Sequence, residues 1–242
     1  MPSFFSIDRS LLARPIRYGL LSSLALVIVL SAASDHAQFG APSAGTQVRD
    51  TSALHPPAGA RVAIVEFDDL ECPACAAANQ SLKDAAAKYQ IPWISHDFLI
   101  PSHVWSAAAA VNARWFDTKS KAIGDEYRNA VFANQNSIYN VGVLTQFTGN
   151  FAKSHGITMP FAIDPQGKLE AEVRADVELA KRMGLTSTPT IFIVTANSKG
   201  APFIQVQNPQ SELYSDIDRA MADTKPTPTK ATPAKATPPR TR

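Results

Sequence analysis

Residues 61–75 read Arg61-Val-Ala-Ile-Val-Glu-Phe-Asp-Asp-Leu-Glu-Cys-Pro-Ala-Cys75. The first half of this stretch, up to Phe67, is rich in β-branched and aromatic residues, which predicts a buried strand. From Cys72 onward the composition changes to alanine-rich, and Pro73 stands where proline is tolerated in the first turn of a helix. The stretch therefore predicts a strand that leads directly into a helix, with both cysteines at the junction.

The two cysteines have the spacing of a redox pair. At the start of a helix, Cys72 lies near unpaired backbone N–H groups and the positive end of the helix dipole, which stabilise a thiolate and lower the thiol pKa. Cys75 lies one turn further, close enough to attack a mixed disulfide formed on Cys72. The chain has no other cysteine, so the pair does not belong to a disulfide-stapled scaffold and indicates chemistry instead.

The composition limits the range of functions. The 242 residues are 45% hydrophobic and 18% charged, which suits one globular domain with non-globular ends. A formal net charge of +2 is too small to indicate a nucleic-acid partner. There is no glycine-rich phosphate loop and no Ser-His-Asp pattern in the sequence, so nucleotide binding and serine hydrolysis are not indicated.

Residues 1–33 have the pattern of a targeting segment. An apolar run follows three arginines, Arg9, Arg14 and Arg17. The run is long for a signal peptide and short for a comfortable membrane span, so two alternatives stay open. The segment is either a cleaved signal peptide or an anchor that holds the chain in the inner membrane through residues 18–33. Both alternatives place the rest of the chain outside the cytoplasm, in the periplasm or cell envelope.

The remaining sequence predicts an α/β domain. Residues 34–57, with Gly, Pro and small polar residues, are interpreted as a spacer, with one edge strand around Thr46 to Arg49. After the cysteine helix, the patterns predict a strand in 91–100, helices at 104–118, 121–134, 143–155 and 168–183, strands at 190–195 and 202–206 joined by a turn at 197–200, and a helix at 211–222. Breaks are predicted at Gly124, Asn140 and Gly156. A strand–helix–strand opening and a hairpin–helix ending can share one sheet, with the middle helices as an insertion.

Taken together, these motifs resemble the DsbA-like branch of the thioredoxin superfamily. The resemblance is carried by Val65–Cys75, by the helical insertion and by the Thr-Pro-Thr in Gly184–Ile193, and it covers roughly residues 58–223. It implies a thioredoxin fold with an inserted helical subdomain at about 103–183. Residues 224–242, rich in Pro, Thr and Lys, fall outside it and are predicted to be a disordered tail.

The resemblance also implies the site residues. Cys72 corresponds to the family's nucleophilic cysteine and Cys75 to its resolving cysteine. Pro189 corresponds to the family's cis-proline, and the preceding Thr188 would pair with the backbone of a substrate chain. Glu66, six residues before Cys72, corresponds to a buried acid beneath the site, where it could accept a proton as Cys75 ionises.

The expected function is that of a thiol–disulfide oxidoreductase acting on unfolded or reduced protein substrates, with disulfide donation favoured. The pair would act as its own redox group without a further cofactor, in a monomer. Recycling of a disulfide donor would require a membrane quinone-linked thiol oxidase. One alternative is that the protein is a reductase that receives electrons from an electron-donating membrane reductase. The other is a secreted metal-handling dithiol, although zinc needs four ligands and the five histidines include no His-x-x-x-His pair.

The residues around the cysteines affect the expected redox strength. Pro73 and Ala74 supply no cation, and the acidic residues Asp68, Asp69 and Glu71 would partly offset the helix dipole. The pKa of Cys72 is therefore expected to lie below that of a free thiol but above that of the strongest oxidants in the family, which indicates an oxidant of moderate strength.

Overall fold

The computed structural model describes residues 48–196 and 201–224, which form one four-stranded sheet with helices on both sides. The strands are β1 (Val62–Asp68), β2 (Trp93–Asp97), β3 (Thr190–Thr195) and β4 (Phe203–Val206). The helices are α1 (Pro73–Tyr89), α2 (Ser106–Asp117), α3 (Lys121–Asn134), α4 (Val141–Ser154), α5 (Lys168–Met183) and α6 (Leu213–Asp223), with a short 3-10 helix at Gln135–Ser137. None of these helices in the described ranges is long and apolar enough to span a bilayer.

The sheet has the strand order β2-β1-β3-β4, and its central strand β1 is buried along its whole length. Ile64 pairs in parallel with Trp93 on β2 and antiparallel with Ile193 on β3, and Ile193 pairs antiparallel with Ile204 on β4. The predicted strand–helix–strand opening and hairpin–helix ending thus share one sheet. The α/β thioredoxin fold expected from the sequence is confirmed.

Alternation along β1 divides the core between the two faces of the sheet, because successive side chains of a strand point to opposite faces. Val62 and Ile64 pack with α1 and α6. Val65 and Phe67 pack on the other face, with α5 and the segment before β1. Glu66 and Asp68 continue the series of Val62 and Ile64, so both carboxyl groups belong to the face that α1 covers.

Helices α2 to α5 form the insertion between β2 and β3. Their aromatic core includes Trp105, Phe116, Tyr127 and Phe151, and it extends to Leu70, Cys72 and Cys75. The cysteine pair therefore lies where the insertion meets the sheet layer.

One predicted break in the insertion is wrong, because α3 runs without interruption through Gly124. A Cβ on this glycine would lie 1.8 Å from the Oδ1 of Asp117. The Asp117 carboxylate lies over Gly124 on α3 and accepts hydrogen bonds from both terminal nitrogens of Arg128, at 2.8 and 2.6 Å. The glycine allows a close approach between α2 and α3. The break predicted at Asn140 does mark a helix start, because its side chain accepts a hydrogen bond from Val143 N and caps α4.

The described part of the predicted spacer, residues 48–57, packs on the fold. Arg49 N donates to Met183 O at 3.1 Å, and Leu54 is buried against the sheet. Val48 and Arg49 are not in a strand, so the described half of the predicted edge strand is wrong; this backbone bonds to the end of α5 instead.

Several sequence predictions lie outside the described residues. They are the targeting segment at 1–33, the remainder of the spacer at 34–47, the turn at 197–200 and the tail from 225 to 242. Thr224, the first residue of the predicted tail, is buried and completes the end of α6.

Candidate redox site

Cys72 is the N-cap residue of α1, with an extended backbone conformation and Pro73 next to it in the first turn. Its N–H donates to Asp69 O at 2.9 Å, and its carbonyl accepts the first bond of the helix from Ala76 N at 3.2 Å. Both cysteines are free thiols; Cys72 is 7% exposed and Cys75 is fully buried. Cys72 is therefore the more exposed residue of the pair.

The two thiols have opposite acidities. A hydrogen bond from Cys75 and backbone N–H groups of residues 74 and 75 lower the pKa of Cys72 to about 5, against the opposing effect of burial. The bond to the Cys72 sulfur and burial raise the pKa of Cys75 far above its ordinary value, and the charges of Asp68 and Glu66 add to this. Cys72 is thus a thiolate at neutral pH and Cys75 keeps its proton. As expected, the Cys72 pKa lies below that of a free thiol and above the value of about 3.5 of the strongest oxidants.

The loop before β3 brings a second element to Cys72. The Thr188–Pro189 peptide bond is cis. The carbonyl oxygen of Thr188 lies 3.5 Å from Cys72 Sγ, although 116 residues separate the two in the chain. A hydrogen bond from the Thr188 side chain is also among the effects that lower the pKa of Cys72. The predicted cysteine and proline positions therefore meet at one place on the surface.

Glu66 lies on β1 beneath the dithiol and is 1% exposed. Its Oε2 accepts a hydrogen bond from the indole nitrogen of Trp93 at 3.0 Å. Burial raises the pKa of Glu66 well above its ordinary range, and the nearby charge of Asp68 raises it further. A carboxyl group with this environment holds its proton at pH values where an exposed glutamate has lost it.

The acidic residues before Cys72 do not act as one negative flank. The Asp69 carboxylate accepts hydrogen bonds from Ile100 N and His103 Nδ1, both at 2.8 Å. The Glu71 carboxylate accepts from Trp105 N and Ser106 N at 2.7 and 2.9 Å. These two carboxylates therefore hold the connection from β2 to α2.

Two further residues near the pair have roles that the sequence did not indicate. Gln135 donates through Nε2 to the carbonyls of Leu70 at 2.7 Å and Cys72 at 3.0 Å, and so fixes the turn before α1. No sequence signal could have found it, since it follows Cys72 by 63 residues. Asp68 is 3% exposed, and burial together with the charge of Asp97 raises its pKa to about 7. Strand alternation from Glu66 could have placed Asp68 on the dithiol face.

In the parts of the chain that the structure describes, no group of three or more His, Cys, Asp or Glu side chains is arranged to hold a metal ion. The site therefore presents a reactive thiolate, a protonated thiol behind it, a backbone carbonyl beside it and two buried carboxyl groups beneath it.

The sequence and the fold were compared with known proteins. A family model described as Thioredoxin matches residues 57–202. No curated protein matches the sequence.

Among solved structures, BdbD from Bacillus subtilis is similar with a TM-score of 0.56 and 17% identity, over 73% of this chain and 95% of that one. The thiol-disulfide exchange protein alpha-DsbA2 from Wolbachia pipientis has a TM-score of 0.53 and 19% identity, over 68% and 84%. A periplasmic thioredoxin-like protein from Salmonella enterica serovar Typhimurium has a TM-score of 0.54 and 18% identity, over 69% and 88%. At these identities the similarity establishes the fold.

Proposed function

Because the chain belongs to the thioredoxin family, we propose that it is a protein thiol–disulfide oxidoreductase that works through Cys72 and Cys75. The observation that carries the proposal is the pairing of opposite acidities. The more exposed cysteine, Cys72, has a pKa of about 5, and the fully buried Cys75 has a strongly raised pKa. A low-pKa sulfur is the one that substrates attack and that leaves readily. Similarity to a thiol-disulfide exchange protein supports the same conclusion.

In the donor direction, a substrate thiolate attacks Cys72 Sγ of the oxidised pair and the Cys72–Cys75 bond breaks. Cys75 leaves with the electron pair and takes up a proton, and we propose the protonated Glu66 carboxyl as its donor. A second substrate thiolate then attacks the substrate sulfur of the mixed disulfide, and Cys72 leaves as a thiolate. The substrate loses two electrons and gains a disulfide, while the pair becomes a dithiol.

The proposed direction rests on the stability of the Cys72 thiolate. Stabilising the thiolate stabilises the reduced pair, and a stabilised reduced form makes the disulfide a stronger oxidant. With the Cys72 pKa at about 5, we favour disulfide donation to unfolded or reduced proteins over the reductase alternative. Thr188, whose carbonyl faces Cys72 Sγ, would pair with the substrate backbone next to Pro189.

We place this reaction outside the cytoplasm, where disulfides persist. The arginines and apolar run in residues 1–33 and the similarity to a periplasmic protein support this location. We propose that the protein acts as a monomer. A membrane quinone-linked thiol oxidase would accept the electrons of the reduced pair and so recycle it. A reporter that is active only after export, fused behind residue 60, tests the location.

The activity is tested by trapping the intermediate. The full chain carrying Cys75→Ala is mixed with a disulfide-bonded peptide, and a mixed disulfide on Cys72 is expected on a non-reducing gel and by mass. A Cys72→Ala chain is the control and should trap nothing. If neither variant captures the peptide, the oxidoreductase proposal is wrong.

The direction is tested on the wild-type chain by equilibration with glutathione buffers. A reduction potential between about −120 and −200 mV corresponds to oxidants and isomerases, whereas a value near −270 mV corresponds to a reductase such as thioredoxin. We expect the first range.

A further inference from the structure

The buried proton of the site has no direct contact with solvent. Cys75 is 0% exposed and Glu66 is 1% exposed. Each turnover moves one proton onto or off this buried pair, because Cys75 changes between a thiol and a disulfide sulfur. A group that connects the pair with water is therefore required.

Asp68 lines an open cavity and lies on the same strand, β1, as Glu66. It follows Glu66 by two residues on the face of β1 that α1 covers, and its charge acts on both Glu66 and Cys75. A cavity of about 240 Å³ is lined by Asp68, Ser95, Asn79 and Asn129, and by Trp93, whose indole binds Glu66. This volume holds several water molecules, and the polar lining suits them.

The outer end of the cavity reaches solvent. Lys121 and Asp125 line it there, and their side chains are 70% and 47% exposed and paired with each other. The amides inside are tied across α1 and α3 by the bond from Asn79 Nδ2 to Asn129 Oδ1 at 2.8 Å. Asp68 is the carboxyl group at the inner end.

We propose that Asp68 relays the proton between the buried Cys75–Glu66 pair and the water of this cavity. The proposal rests on the proposed thiol–disulfide exchange and deepens it. Asp68 does not touch the reacting sulfur in this role; it is a positioning residue that acts through Glu66 and the cavity water.

The charges around Asp68 suit a group that both accepts and releases a proton. The charged and titratable groups that face Asp68 come from the elements packed against it. Glu66 and Asp69 are close to it in the chain, Cys75 is on α1 and Asp97 is on β2. Helix α3 contributes Arg128, Lys121 and Asp125. Burial and Asp97 raise the pKa of Asp68, whereas Arg128 and a hydrogen bond from Ser95 lower it, and the pKa settles at about 7. Both protonation states of Asp68 are therefore populated near neutral pH.

Reoxidation of the reduced pair is the step in which the relay releases a proton. Cys72 carries a mixed disulfide, and the Cys75 S–H proton passes through Glu66 and Asp68 to cavity water. The Cys75 electron pair forms the bond to Cys72 Sγ, the bond from Cys72 to the partner sulfur breaks, and the partner leaves as a thiolate.

A relay and a simple charge effect predict changes of opposite sign, which makes the proposal testable. The Asp68 charge raises the pKa of Cys75. If Asp68 acted only through its field, Asp68→Asn would ease ionisation of Cys75 and speed the second step. If Asp68 relays the proton, the same change slows that step, and we expect a loss of about tenfold or more near pH 7 because general acid–base groups contribute at least that much.

The experiment follows the reaction of the reduced full chain with glutathione disulfide, quenched with acid and analysed by mass. The mixed disulfide with glutathione forms first, and its conversion to the Cys72–Cys75 disulfide is the step of interest. In the wild type, the conversion rate is expected to rise through about pH 7 and level off. In Asp68→Asn this inflection is expected to disappear, with formation of the mixed disulfide unchanged.

Two further measurements separate the relay from a change in structure. Formate added to Asp68→Asn should restore part of the conversion rate, since a small carboxylate fits the cavity and a purely structural role would not respond. Glu126→Gln removes an exposed carboxylate of α3 that does not line this cavity, and this variant should convert like the wild type with and without formate.

The outcomes distinguish the two proposals. If the wild type forms no Cys72–Cys75 disulfide with glutathione disulfide, the oxidoreductase proposal fails. If the wild type converts normally while Asp68→Asn is equally fast or faster, or is slow but insensitive to formate, the relay is wrong and the oxidoreductase proposal stands.

Discussion

Removing the Cys75 thiol is expected to raise the pKa of Cys72. A hydrogen bond from Cys75 is the largest of the effects that bring the Cys72 pKa to about 5. A hydrogen bond to a charged group contributes about 1.5–3 kcal/mol, and one pKa unit corresponds to about 1.4 kcal/mol. Cys75→Ala should therefore raise the Cys72 pKa by about 1 to 2 units. The value should stay below that of a free cysteine, because the N–H groups at the start of α1 remain.

The measurement is the pH dependence of Cys72 alkylation by iodoacetamide, with thiolate absorbance as a second readout. In Cys75→Ala only one thiol remains, because the chain has only two cysteines, so the titration belongs to Cys72. Cys75→Ser is the matched control, since its hydroxyl can donate to the same sulfur. It should titrate close to the reduced wild type, and Cys75→Ala at a clearly higher pH.

Two results would contradict this reasoning. If Cys75→Ala titrates with the wild type, the low pKa comes from the start of α1 alone. If Cys75→Ser rises as far as Cys75→Ala, the cause is something other than a donated hydrogen bond. With either result, the hydrogen bond between the two sulfurs would no longer account for the opposite acidities of the pair.

Three other predictions concern protons and packing. Glu66→Gln should raise the free energy of unfolding above neutral pH by about 1–3 kcal/mol, measured by urea unfolding at pH 5 and pH 8. The raised pKa of Glu66 in the folded state favours folding at low pH, and this contribution is lost as the pH rises through that folded-state pKa. The reduction potential of the Cys72–Cys75 pair should fall about 60 mV per pH unit below the Cys72 pKa and about 30 mV per pH unit above it, with the change of slope near pH 5. Below that pKa reduction takes up two protons, and above it only one; a constant slope would contradict the Cys72 assignment. Gly124→Ala should cost about 1–3 kcal/mol by clashing with the carboxylate that crosses it, whereas Gly149→Ala, with open space around it, should gain about 0.5–1 kcal/mol; equal effects would show that the clash is relieved without cost.

The sequence predicted the elements that carry strong local signals. The run before Cys72 and the alanine-rich segment after it specify a strand and a helix by composition, and Pro73 specifies the helix start. Helix α3 was predicted with the observed ends, Lys121 and Asn134. The predicted break at Gly124 failed because glycine punctuates a helix pattern locally, whereas in this fold its role is a contact with Asp117 on another helix.

The contacts that define the site could be inferred only in part. The resemblance to a family supplied Thr188 and Pro189, which no local pattern connects with Cys72 across 116 residues. The link from Gln135 to the turn before α1 is a long-range contact of the same kind and left no trace in the pattern. The effect of the acidic residues was inferred from proximity in sequence, which does not reveal whether a carboxylate already accepts hydrogen bonds, as that of Asp69 does.

The end of β1 separates the acidic residues of 66–71 into two functions. Within the strand, alternation turns Glu66 and Asp68 toward α1, and their burial costs stability because removal from water disfavours a charged carboxyl group. Beyond the strand, Asp69 and Glu71 turn to the connection between β2 and α2 and bind its backbone N–H groups. Charge-assisted bonds of this kind are strong, so the second pair helps offset the cost of the first. The six residues 66–71 thereby supply both the carboxylates that hold the insertion against the site and the buried carboxyl groups that carry a proton beneath the cysteine pair.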